Sequence, residues 1–114
     1  MSIPKQVRVT VLDRDGLTCV RCGAPISLAD YSLHHRRPRG MGGTRDVRIN
    51  FPSNLLTLHG SGTTGCHGWV ESHRAEAFEQ GYLLRDVADA ATTPVLTSAG
   101  WLLFTDDGEI EVAA

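Results

Sequence analysis

No run of apolar residues in this 114-residue chain approaches the roughly 18 that a membrane-spanning helix needs. The first ten residues, MSIPKQVRVT, hold no apolar signal-peptide core. Together these two absences lead to the expectation of a soluble, cytoplasmic protein. Internal repeats and low-complexity segments are missing, and no helix-turn-helix or other base-reading module is visible. Cysteine is scarce and odd in number, three in all, which argues against a pure disulfide framework. Thiols held on a metal in a reducing compartment are the better expectation. Lysine is nearly absent, Lys5 being the only one. No basic residue follows Arg85, whereas Asp86, Asp89, Asp106, Asp107, Glu109 and Glu111 do.

What is present fits a single domain over residues 1–114. At 41% apolar the chain can bury a core, though a small one that a structural metal would help. The net charge of −2 does not by itself point to a polyanion. The distribution is more telling. Between His34 and Arg48 lie Arg36, Arg37, Arg39, Arg45 and Arg48 against the single acid Asp46. One part of the chain is suited to phosphates and the acidic end would repel them. The argument rests on position, because a GC-rich genome would also favour arginine over lysine.

Residues 5–14 admit two readings. Val7, Val9 and Val11 alternate as in a strand, while Ile3, Val7 and Val11 keep helical spacing. Pro4 suits a first helical turn, and Asp15-Gly16 is a stop. Residues 31–36 read as a short strand, 38–50 as a glycine-bearing loop and 55–58 as a second strand. Another glycine loop, with Gly60, Gly62 and Gly65, leads into a helix that begins near Cys66 and runs through WVESHRAEAFEQ. Gly81 stands where a C-terminal glycine cap belongs. The tail reads as β structure at residues 95–97, 101–105 and 110–112, and a scaffold hairpin over 94–112 is expected.

Two sets of chemistry-bearing residues interleave in the middle. Cys19-x-x-Cys22, closed by Gly23, reads as a metal knuckle, and His59 and Cys66 form a second pair at the two ends of a glycine loop. Three thiolates and one imidazole satisfy a tetrahedral structural zinc. The blander alternatives are a pair of buried thiols or a redox pair. Inside this frame lie His34-His35, Asn54 and Cys66-His67.

In that order, with HHxxP, the Gly42-Gly43 pair, SNL and a CH helix start, these residues resemble an HNH endonuclease. The likeness covers about residues 13–81, and its motifs are specific only in combination. It resembles the small HNH endonucleases of tailed bacteriophages, especially of actinobacterial hosts. The resemblance implies an α+β fold with a ββα-metal core, stabilised by the structural zinc and extended by the C-terminal β-hairpin. It implies hydrolysis of DNA phosphodiesters at a divalent ion (Mg²⁺, Mn²⁺, Ni²⁺ or Zn²⁺), with DNA as substrate and a phage terminase or portal protein as possible partner. In that setting the chain would work in DNA packaging, within the host cytoplasm. By position, His34 and His67 become metal ligands, His35 the general base and Asn54 the residue that orients the base.

The pattern usually continues with a histidine one helical turn after His67, but position 71 is Glu71. A carboxylate suits a harder ion. His73 lies about 120° round the helix from His67 and ranks below Glu71 as a ligand. Arg36, Arg37, Arg39, Arg45 and Arg48 are candidates for phosphate contact, with an ordinary solvated loop as the alternative. Two rival functions remain: a zinc-bound DNA-binding module without catalysis, and a terminase-accessory protein whose nuclease site has decayed. Glu71 keeps the second alive.

Overall fold

The valines near the N-terminus resolve as a helix. In the computed structural model, which describes residues 2–38, 46–85 and 87–113, helix α1 spans Lys5–Arg14 with Pro4 at its N-cap. Burial decides between the two periodicities. Val11 is fully buried and Ile3 and Val7 pack with it against Leu33, Leu55 and Tyr31, whereas Val9 is 49% exposed. One helical stripe is covered and the alternating valine is not.

Strand β1, Tyr31–His35, pairs antiparallel with β2, Leu55–His59, with His34 opposite Leu56 and His35 opposite Leu55. Successive strand residues point to opposite faces. Tyr31 and Leu33 therefore meet α1, while Ser32 and His34 face the other way. That other face is covered by helix α2, Gly65–Ser72, with helix α3, Arg74–Glu79, next to it. Cys19, Val20, Leu56, Leu58, Cys66, Val70, Ala77, Tyr82, Val95 and Phe104 form the main core. Two of the three cysteines are thus core residues.

The expected continuous helix from residue 66 to 80 is broken at His73, whose φ of −124° and ψ of 55° lie outside the helical region. Ser72 Oγ donates back to the Gly68 carbonyl, a bond that competes with the ladder. The His73 ring stacks on Trp69 one turn earlier, at 5.1 Å. The break lets α3 turn Ala77 and Phe78 onto the core.

The three strands expected in the tail all form, and they make one sheet instead of a lone hairpin. Strands β3 (Val95–Thr97), β4 (Gly100–Phe104) and β5 (Ile110–Val112) form a three-stranded antiparallel sheet in that order. Backbone bonds from Leu96 to Gln80 and from Ser98 to Val20 tie its first strand to the rest. Among the described residues the fold is therefore α+β with two antiparallel sheets. No described helix is long and apolar enough to cross a membrane.

Arg36 joins the tail to the centre. Its fully buried guanidinium donates to the carbonyls of Gly81, Ser53, Ala90 and Thr93, at 2.7–3.0 Å. Burial, followed by the charge of Arg14, pushes its pKa down to about 10, so it stays protonated at neutral pH. A rigid fork with five donors suits this position, and an ammonium could not reach all four carbonyls. Arg36→Met is expected to destabilise the chain by about 3–5 kcal/mol, because buried carbonyls lose their donors. Arg36→Lys should recover little of that. Urea denaturation of the three proteins measures both statements.

Candidate functional site

Cys19, Cys22, His59 and Cys66 each bring one ligand atom into a group in which all lie within 4.8 Å of one another. The knuckle is shaped by reciprocal backbone bonds, Cys19 N to Ala24 O and Gly23 N to Cys19 O, both 2.8 Å. Gly65 closes the loop at the other pair. It adopts a φ of +62°, and a Cβ there would come within 2.7 Å of His59 Nδ1. Only glycine lets the loop double back so that His59 and Cys66 meet. Zinc–sulfur distances of about 2.3 Å require ligands this close. The set is compatible with a structural zinc site.

The thiols are held in contrasting surroundings. Burial pushes the Cys66 thiol up to about 11, opposed by a hydrogen bond from Arg21. Cys22 is exposed; its slight burial raises it, but bonds from the Ala24 backbone and from the Cys19 and Cys66 thiols bring it below the ordinary value. Arg21 Nη1 lies 3.4 Å from Cys66 Sγ while its guanidinium sits 3.7 Å over the Trp69 ring. Three thiolates around one divalent ion leave a negative charge, and Arg21 is placed to offset it.

A second group brings His34, His67 and Glu71 together, again with one ligand atom each within 4.8 Å. His34 and His67 meet edge-on with ring centroids 5.2 Å apart. Their tautomers follow from their other contacts. His34 Nε2 lies 2.6 Å from the Tyr82 carbonyl, which can only accept, so Nε2 carries the proton and Nδ1 the lone pair. Ser32 Oγ gives its proton to the Gly60 carbonyl at 2.7 Å, so it accepts from His67 Nδ1 at 2.9 Å. His67 Nε2 then carries the lone pair. Outer hydrogen bonds of this kind orient imidazoles as metal ligands. Burial pushes His34 down to about 4. It also lowers His67, against the opposing charge of Glu71. Both rings are therefore neutral at pH 7 and need not shed a proton before binding an ion.

Glu71 is exposed and forms an ion pair with Arg74 at 3.3 Å. His73 belongs to neither group; its Nδ1 lies 2.9 Å from Ser72 Oγ, and its ring lies on Trp69.

His35 ends β1, and its Nε2 lies 2.9 Å from Oδ1 of Asn50. Asn54, expected to orient it, instead spends its amide on backbone. Its Oδ1 accepts from Arg37 N at 2.8 Å, and Nδ2 donates to Ile49 O and Arg37 O. Asn54 clamps the chain on both sides of the loop, and the residue on the ring is Asn50. Nothing in the local pattern around Asn50 marks it; only the turn at Val47–Asn50 brings it under the strand end.

The arginines separate by position. Arg36, expected as a phosphate contact, is corrected to a buried structural group whose donors are taken by four carbonyls. Arg37 is half-buried and donates to the Arg85 and Ala88 carbonyls. Arg48 has a 75% exposed side chain and pairs with Asp46 at 2.9 Å. Arg39 and Arg45 lie outside the described residues.

Comparison of the chain with protein-family models, with curated proteins and with solved structures finds no match.

Proposed function

We propose that this protein is a metal-dependent DNA endonuclease of the HNH type, with β1, β2 and α2 as its ββα-metal core. The observation that carries the reading is the grouping of His34, His67 and Glu71 next to a separate Cys19–Cys22–His59–Cys66 set. A closed four-ligand set suits a structural ion, and a three-ligand set leaves positions for water and phosphate. Bound at the open set, a divalent ion would stabilise charge on the phosphate and on the leaving oxygen. His35 is the group that takes a proton from water as its oxygen attacks phosphorus and one ester bond breaks. Arg48, whose exposed side chain lies in the turn that carries Asn50, is the candidate for backbone contact among the expected arginines that are described. The phage-packaging setting and a terminase or portal partner rest on sequence resemblance alone.

The assay is conversion of supercoiled plasmid to nicked or linear DNA with Mg²⁺, Mn²⁺, Ni²⁺ or Zn²⁺. Cleavage that depends on added metal is the expected outcome. DNA binding without cleavage in every metal would contradict it and leave a zinc-bound binding module.

The ion pair of Glu71 with Arg74 favours a second reading, an accessory protein whose catalytic site has lost a ligand. Glu71→His is expected to shift metal preference toward Ni²⁺ or Zn²⁺, because imidazole is the softer donor. Glu71→Ala should weaken the dependence on Mg²⁺ or Mn²⁺. Wild-type rates and metal dependence in Glu71→Ala would make Glu71 a bystander.

A further inference from the structure

We propose that Asn50, held by the backbone carbonyl of Ser2, fixes the tautomer of His35 and so makes Nδ1 the atom that receives the proton. This refines the endonuclease reading and rests on it.

Asn50 is buried at the end of the Val47–Asn50 turn. Its Nδ2 lies 3.3 Å from the Ser2 carbonyl, and its Oδ1 lies 2.9 Å from His35 Nε2. A carbonyl only accepts, so the amide nitrogen must face Ser2. The amide oxygen must then face His35, and it too only accepts. In the neutral ring, Nε2 therefore carries the hydrogen and Nδ1 the lone pair. The flipped amide would set oxygen against oxygen at Ser2 and present a donor to Nε2, inverting the tautomer. The Ser2 carbonyl thus sets the amide orientation that puts the hydrogen on His35 Nε2.

The two asparagines have separate tasks. Asn54 binds Arg37 N and Ile49 O, and so holds the end of β1 to the segment that carries Asn50. Asn50 then acts on the ring itself. When Nδ1 takes a proton from water, the ring becomes an imidazolium and the Nε2–H bond to Oδ1 becomes charge-assisted. The water oxygen bonds to phosphorus, the ester oxygen leaves with the bonding pair, and solvent protonates it. Asn50 is a positioning residue, because it reaches the substrate only through His35.

The experiment has a spectroscopic arm and a kinetic arm on the full, metal-loaded chain. Long-range ¹H–¹⁵N correlation of histidine-labelled protein, at a pH where His35 is neutral, should show it as the Nε2–H tautomer. Asn50→Asp should keep that tautomer, since it retains the acceptor while losing the donor to Ser2. Asn50→Ala should give a mixture. In plasmid cleavage Asn50→Ala should lower kcat by about 10–100-fold with little change in KM, the usual scale for an outer-shell partner. Asn50→Asp should regain most of the loss. An Nδ1–H tautomer in the wild type, full kcat in Asn50→Ala, or an Asn50→Asp as slow as Asn50→Ala would each overturn the proposal. If Asn50→Ala does not fold, the wild-type tautomer and Asn50→Asp still decide. If the wild type cuts no DNA with any metal, the endonuclease reading fails, and the tautomer still reports on the relay.

Discussion

His35→Ala is expected to lower DNA cleavage by about 10²–10⁴-fold, the usual contribution of a general base. The fold should survive, because His35 stands at the end of β1 and lies outside both core clusters. DNA binding should survive as well, since the candidate phosphate contacts are arginines. The measurements are the rate of plasmid conversion, the gel-shift affinity and the thermal midpoint. Wild-type cleavage by the purified variant would remove His35 from the reaction. Loss of binding in parallel with cleavage would make it a contact residue instead of a base.

Cys66→Ser is expected to leave the chain unfolded or insoluble. Cys66 is buried in the main core, at the start of α2, and its loop partner His59 ends β2. An ion across Cys19, Cys22, His59 and Cys66 would tie the knuckle, the second strand and the helix that carries His67 to one point. Coordination can supply about 10 kcal/mol or more to a small domain, comparable to its whole stability. Cys19→Ser should behave alike. Circular dichroism and zinc content of the purified variants test this. A folded Cys66→Ser protein that still cleaves DNA would dismiss a structural role for the ion.

The strands at Tyr31–His35 and Leu55–His59 and the helix start near Cys66 could be read from alternation and glycine placement, because those signals are local. The closeness of Cys19, Cys22, His59 and Cys66 was legible for a similar reason: short spacings on either side of glycine loops leave few ways to arrange four donors. What was not legible depends on tertiary contact. Val9 and Val11 are the same residue type two positions apart, and only the packing of Leu33 and Leu55 selects which is covered. Arg36 is indistinguishable from its neighbour Arg37 in sequence. Its burial follows from carbonyls of Ser53, Gly81, Ala90 and Thr93, far along the chain. Asn50 and Asn54 likewise differ only in which partner the folded loop sets before each amide. The helix break at His73 coincides with its stacking on Trp69 and with the bond from Ser72 Oγ to the Gly68 carbonyl, contacts that helix propensity does not register.

The most direct test of two distinct ions in one site region is a chelator titration that follows metal content, circular dichroism and plasmid cleavage on the same samples. An open set releases its ion more readily than a closed tetrahedral one. Loaded protein is expected to carry two divalent ions per chain. Mild EDTA should remove one and abolish cleavage while zinc and the helical signal remain, and added Mg²⁺ or Mn²⁺ should restore cutting. Cleavage that persists after the exchangeable ion is gone, or a single ion whose loss unfolds the chain and ends activity together, would contradict the assignment of His34, His67 and Glu71 as a separate catalytic centre.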